Sequence, residues 1–157
     1  MGYEMKTTKR LLIEVAVYVV LLLLVINLYS ILSLALHTKV PLAVVTSTSM
    51  YPTLGIGDLV IIEGVKINEI KVGDIIIFKP RYYSYPIIHR VVRIIETNGK
   101  IIIKTKGDNN LSVDPWDVTE DLILGRVIEI NGVPLKVPFI GYLTLYLKEM
   151  LQLFPHR

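Results

Sequence analysis

The sequence predicts a mostly β protein: a small antiparallel, barrel-like β domain behind one N-terminal transmembrane helix, followed by a short amphipathic helix. Three observations carry this. Residues 15–36, VAVYVVLLLLVINLYSILSLAL, are apolar and uncharged. From residue 40 onward, short β-branched runs alternate with Gly-Asp and Asn-Gly pairs, the texture of strands and tight turns. Residues 139–154, FIGYLTLYLKEMLQLF, are apolar around much of a helix, broken by Lys148-Glu149. With 157 residues, the chain suffices for one modest domain and a membrane element, not for two independent domains.

The apolar run comes first. At ~1.5 Å rise per residue it spans roughly 33 Å, the thickness of a bilayer's hydrocarbon core. Asn27, Ser30 and Ser33 are tolerable interruptions, and Lys6, Lys9 and Arg10 precede it. The positive-inside rule then puts the N-terminus in the cytoplasm and the rest of the chain outside, at the cell membrane. Ser33 and Ala35 offer small residues for a cleavable signal, which would release the remainder as a secreted domain. The run is longer than a usual signal-peptide core, which favours a retained single-pass anchor. The expected organisation is a cytoplasmic tail at 1–14, an anchor at 15–36, a β-rich domain at 37–138 and a membrane-associated helix at 139–157. That last helix is short for a span and reads as interfacial, with a second tilted span as the alternative.

Seven runs read as strands: PLAVVTS, DLVIIEG, DIIIF, IIHRVVRII, KIIIKTK, LILGRVIEI and VPLKV. Asp58 and Asp74, each after a glycine, are turn residues feeding two of them. Asn98-Gly99 and Asn131-Gly132 are the strongest short-range signal for a two-residue hairpin. Taking Asn98-Gly99 as the loop, Thr97 faces Lys100, Arg93 faces Lys104, Val91 faces Lys106 and His89 faces Asp108. Opposed Cβ atoms in such a ladder lie about 4.5–5.5 Å apart, so an unbroken hairpin sets a carboxylate beside the only histidine within these strand runs. One bulge would turn that side chain away.

Several chemistries are excluded. The chain has no cysteine, hence no disulfide, thiolate or cysteine–zinc chemistry. The net charge of +3, without a basic run or aromatic–basic interleaving, gives no nucleic-acid signal. No histidine–carboxylate cluster has metal-ligand spacing, so neither metal nor cofactor is expected. Serine chemistry remains. Ser47-Thr48-Ser49-Met50-Tyr51-Pro52-Thr53 follows a strand and precedes a Gly-rich turn, where a serine is both fixed and reachable. A serine hydroxyl needs a base to attack, His89 suits that task, and a carboxylate behind the ring would hold its tautomer. The backbone N–H of Ser49 and the hydroxyl or N–H of Ser47 are available oxyanion donors. Taken alone, Ser-x-Ser-Met is a weak pattern.

Together these segments resemble the type I signal peptidases, and the archaeal and endoplasmic-reticulum branch more than the bacterial one. The Ser47–Thr53 segment is similar to the family's Ser-Gly-Ser-Met-x-Pro-Thr block. Ile88-His89-Arg90-Val91-Val92 is similar to the block that supplies the base. Gly107-Asp108-Asn109-Asn110 with Asp114 is similar to the acidic block. The resemblance implies a membrane-bound serine endopeptidase that removes signal peptides from exported preproteins, cutting after small residues at −3 and −1. It implies Ser49 as nucleophile, His89 as base in place of the bacterial lysine, and Ser47 as second oxyanion donor. It prefers Asp114 as the partner of His89, with Asp108 in support, whereas the hairpin register points to Asp108. An extended substrate is expected against Ala43-Val44-Val45 and Ile87-Ile88. The expected partners are signal peptides and the lipid bilayer, with accessory subunits open. Thr48 departs from the family's glycine, and a strained backbone angle there would be costly. The competing readings are a Ser-Lys peptidase using Lys79, Lys104 or Lys106, and a tethered β domain that binds peptides or subunits without catalysis.

Overall fold

A computed structural model describes residues 2–152, with side chains described over residues 9–150. The chain divides into two compact units, residues 1–35 and 36–157.

The first unit is α1, Gly2–Ala35. No glycine or proline interrupts residues 3–35, so the helix runs back through the segment expected as a tail. Its stretch Lys9–Ala35 is long and apolar enough to cross a membrane. The polar residues inside it turn onto their own helix. Asn27 Nδ2 donates to the carbonyl of Leu23 at 2.6 Å, and Ser30 Oγ donates to that of Ile26 at 2.9 Å. One donor of each side chain is thereby satisfied within the helix, as a hydrocarbon surround would favour.

The second unit is mostly β. Its strands are β1 (Leu42–Val44), β2 (Leu59–Glu63), β3 (Ile75–Phe78), β4 (Ile87–Thr97), β5 (Lys100–Lys106), β6 (Ile123–Val127), β7 (Glu129–Ile130), β8 (Val133–Pro134) and β9 (Lys136–Val137). They form a curled antiparallel half-barrel in the order β1-β2-β6-β3-β4-β5, with β9 also paired to β2 and β7-β8 as a separate hairpin. The run LILGRVIEI is one expected strand but two observed ones, β6 and β7, and VPLKV divides likewise. The joint is a local exchange of partners: the N–H of Ile128 donates to Ile61 and that of Leu135 to Ile128.

All four residues of β3 are buried, because β3 lies mid-sheet and both its faces are covered. Ile75 and Ile77 pack with Val45, Met50, Leu54 and Val60 on one side. Ile76 and Phe78 pack with Val91, Ile103 and Val118 on the other. Burying each such side chain contributes about 1.5–3 kcal/mol.

Both Asn-Gly turns form as expected, with φ of 53° and 72° at Asn98-Gly99 and 54° and 77° at Asn131-Gly132. Paired positive φ values are what a type I′ hairpin requires. Beyond the first turn the ladder follows the expected register only as far as Arg93–Lys104. A bulge at Val92 then places Val91 opposite Thr105 and Arg90 opposite Lys106. The cause is non-local. Val91 exchanges backbone bonds with the turn before β3, its N–H donating to Asp74 and its carbonyl accepting from Gly73. The slip turns Asp108 away from His89.

Asp58 and Asp74 serve their turns, as expected. Asp58 accepts the N–H of Gly55 and pairs with Lys136 at 2.7 Å. Asp74 accepts the N–H of Lys71 and pairs with Arg126 at 3.0 Å. Finally α2, Gly141–Gln152, starts against the sheet: the N–H of Gly141 donates to the carbonyl of Gly57 at 2.9 Å. A Cβ at Gly57 would meet the Tyr142 ring at 2.4 Å, so that contact needs glycine. Residues 153–157, including His156, lie outside the described residues.

Candidate active site

Ser49 sits in the loop after β1, and the core fixes that loop. Its neighbours Met50 and Leu54 are fully buried among Val45, Val60 and Ile77. The N–H of Leu54 donates to Met50 and that of Tyr51 to Thr48, closing the loop on itself. Thr48 is unstrained. Among the described residues the non-glycine positions with positive φ are His37, Asn98, Asn131 and Phe139.

β4 delivers His89 to this loop. The ring is 6% exposed, and its Nε2 lies 3.1 Å from Ser49 Oγ. Nδ1 lies 2.6 Å from Asp114 Oδ2. A carboxylate only accepts, so Nδ1 carries the proton and Nε2 is left with a lone pair facing the serine hydroxyl. Ser47 Oγ is 3.1 Å from Ser49 Oγ. With the Ser49 proton directed at the ring, Ser47 is the donor in that pair.

Asp114 is 7% exposed and doubly held. Its N–H donates to the carbonyl of Thr105 at 2.8 Å, and Thr105 Oγ1 donates to its Oδ2 at 2.7 Å. Sequence reasoning missed Thr105. The bulge that removes Asp108 from the histidine is also what sets Thr105 opposite Val91, and nothing local to the β5 run announces it.

Asp108 belongs to a different cluster. Arg90 grips it with two bonds, Nε to Oδ1 at 2.8 Å and Nη2 to Oδ2 at 2.7 Å. Thr53 Oγ1 adds a third at 2.6 Å. The cluster therefore ties the Ser49 loop to β4. The Asp108 hydrogen bond raises the Arg90 pKa, against burial. Burial pushes the Asp108 carboxyl up, but the bonds from Arg90 and Thr53 outweigh it and hold the group below the ordinary carboxylate value. Nearby Glu129 goes the other way. Burial raises its pKa, and its Oε1 is 4.0 Å from Arg90 Nη1 without a hydrogen bond.

The lowered pKa has a consequence for stability. The Asp108 contribution is present above the unfolded carboxylate value of about 3.9 and is lost as pH falls through the lower folded value. Asp108→Asn should therefore cost about 1–3 kcal/mol near pH 6, a gap to wild type that narrows as pH falls below the unfolded carboxylate value of about 3.9. Urea titrations near pH 6 and at successively lower pH read it. A gap that stays constant as pH falls would contradict this account of the Arg90–Asp108 pair.

A cleft of about 240 Å³ opens over Ser49 and His89, lined by Val45, Ser47, Tyr83, Tyr85, Ile87 and Ile88 among others. A second cleft of about 490 Å³ shares Thr46, Ser47, Tyr85 and Pro86 with it and includes Ala43, Val44, Leu145 and Lys148. The expected apolar segments thus divide, Val45, Ile87 and Ile88 at the first cleft and Ala43 and Val44 at the second. Tyr83 and Tyr85 were not anticipated. Tyr83 packs edge-on against Tyr85 and Trp116, with ring centroids at 5.8 and 5.0 Å. The Tyr82-Tyr83-Ser84-Tyr85 cluster just before the histidine strand was the available signal. Of the lysines considered as bases, Lys104 pairs with Asp117 at 2.5 Å.

A family model described as signal peptidase, peptidase S26, matches residues 12–115, which include Ser49, His89, Asp108 and Asp114. The signal peptidase complex catalytic subunit SEC11 of Colletotrichum graminicola is 36% identical, over 75% of this chain and 70% of that protein. SEC11 of Pyricularia oryzae is 37% identical with the same coverage. An uncharacterized protein of Methanocaldococcus jannaschii is 31% identical over 68% of this chain and 83% of its own length.

Proposed function

The chain belongs to the signal peptidase family, peptidase S26, and from that premise we propose that it is a membrane-bound serine endopeptidase that removes signal peptides from exported preproteins. The observation that carries this reading is the unbroken chain Ser47–Ser49–His89–Asp114, with contacts of 3.1, 3.1 and 2.6 Å.

Ser49 Oγ attacks the scissile carbonyl while His89 Nε2 takes its proton. The oxyanion receives the N–H of Ser49 and the hydroxyl of Ser47, each such donor being worth about 2.7–4 kcal/mol. The imidazolium, stabilised by Asp114, passes the proton to the leaving amine. Water, activated by the same ring, then hydrolyses the acyl-enzyme. Asp108 acts at one remove, by holding Arg90 and Thr53.

The substrate lies extended along Ala43-Val44-Val45 on one side and Ile87-Ile88 on the other, its small −1 side chain in the cleft beside Ser49. Lys6, Lys9 and Arg10, in the first turns of α1, stay in the cytoplasm, and the helix tethers a catalytic domain, residues 37–138, on the outer face of the cell membrane. There the tether raises the concentration of the serine near emerging cleavage sites. The helix from residue 139 lies on the bilayer. The SEC11 relatives are named as subunits of a complex, which supports accessory subunits here too.

The test is cleavage of a preprotein by the full chain purified in detergent, with product masses locating the cut. We expect a cut after alanine at −1, and a kcat/KM lowered by on the order of 10²-fold when leucine stands there. Equal rates for alanine and leucine would sink the pocket assignment. Binding of the preprotein without any cleavage would favour a non-catalytic peptide-binding domain.

A further inference from the structure

Two carbonyls flank the Ser49 backbone, and one residue of the acidic loop holds both. The N–H of Asn109 donates to the carbonyl of Ser49 at 2.8 Å. Its side-chain Nδ2 donates to the carbonyl of Thr48 at 3.2 Å. The second bond bears on the proposed chemistry. The Thr48 carbonyl and the Ser49 N–H belong to one planar, trans peptide, so they point in opposite directions. Whatever fixes the carbonyl also aims the N–H. Among the described residues that N–H donates to no protein acceptor, which leaves it free for a ligand. The Tyr51 N–H shares the Thr48 carbonyl at 3.0 Å. That bond is local to the loop, whereas Asn109 anchors the peptide to a separate segment, the loop after β5.

The anchor is close-fitting. A Cβ on Gly107 would lie 2.6 Å from the Ser49 carbonyl oxygen and 2.8 Å from Asn110 Nδ2. The acidic loop therefore reaches the nucleophile loop only because residue 107 is glycine, and Asn109 follows at the distance that both its bonds need.

We propose that Asn109 is a positioning residue for the oxyanion site: by clamping the Thr48 carbonyl it orients the Ser49 N–H towards the developing oxyanion. This rests on the reading of Ser49 as nucleophile. Asn109 touches neither the reacting atoms nor His89, so its loss acts through the aim of one donor. A misdirected donor costs most in the transition state, when charge has accumulated on the oxygen.

The experiment compares wild type, Asn109→Ala, Asn109→Asp and Ser49→Ala, each as the full chain in detergent, on one preprotein substrate. A peptide boronate that forms a tetrahedral serine adduct and an uncleaved product peptide serve as the two binding probes, and thermal melting monitors folding. We expect both Asn109 variants to lose kcat by on the order of 10-fold while KM stays within about twofold. Boronate affinity should fall in step with kcat, and product-peptide affinity should hold. A merely structural role would weaken both probes together with Tm. That pattern, or wild-type kcat in both Asn109 variants while Ser49→Ala is inactive, would overturn the inference. Undiminished cleavage by Ser49→Ala would instead overturn the reading of the nucleophile, and this inference with it.

Discussion

Replacing His89 by alanine should lower kcat/KM on a signal-peptide substrate by on the order of 10⁴-fold or more, comparable to losing a base from a serine triad. The reason is the single lone pair at Nε2, 3.1 Å from Ser49 Oγ. Without it the hydroxyl keeps its proton at neutral pH and attacks too slowly to matter. His89 is 6% exposed, so alanine also leaves a cavity, and a fall in stability must be separated from a fall in catalysis. His89→Gln fills more of the space and offers no comparable base. Both variants should be inactive, with His89→Gln melting nearer to wild type. Activity within tenfold of wild type in a folded variant would transfer the role of base to another group, and the lysines would be the first to examine.

The second large effect distinguishes two aspartates. Asp114→Asn should cost on the order of 10³–10⁴-fold in kcat, because an amide directed at Nδ1 can donate and so stabilise the wrong tautomer, with the proton on Nε2. Thr105 sharpens this. Its hydroxyl already donates to the Asp114 oxygen that faces the ring, so the site is built around an acceptor. Asp108→Asn should behave differently. It breaks the grip on Arg90 and the bond from Thr53, lowering stability while kcat stays within about tenfold. Kinetics and melting curves on the two variants read both effects. The reverse order, Asp108→Asn the more damaging to kcat, would return Asp108 to the role that the hairpin register suggests.

That register shows what the sequence could and could not convey. The Asn98-Gly99 turn was legible because its chemistry is local: two adjacent residues suited to positive φ. The ladder holds as far as Arg93–Lys104, where β4 still pairs only with β5. It fails at Val92, where β4 meets the Gly73-Asp74 turn, a partner far away in sequence. One slip moves Asp108 to Arg90 and leaves His89 to Asp114, which arrives from beyond the hairpin by pairing with Thr105. The same reasoning covers the division of LILGRVIEI, an apolar run whose break depends on Ile61 and Leu135. Single residues were harder. Ser49 and His89 stood out by type, but Thr105, Thr53 and Asn109 are ordinary polar residues. Their places follow from which carbonyl or carboxylate lies opposite, and composition carries no trace of that. The apolar N-terminal helix was the easiest element, since length and hydropathy alone mark it out, and it begins well before residue 15 because nothing in residues 3–14 stops a helix.

The central claim is that Ser49 is a nucleophile activated by His89. Its most direct test is covalent labelling of the full chain in detergent with a peptidyl phosphonate ending in alanine, read by peptide mass spectrometry. The account predicts one adduct, on Ser49, formed quickly by wild type and at a negligible rate by His89→Ala. An adduct on any other residue, or equal labelling of Ser49 without His89, would contradict it.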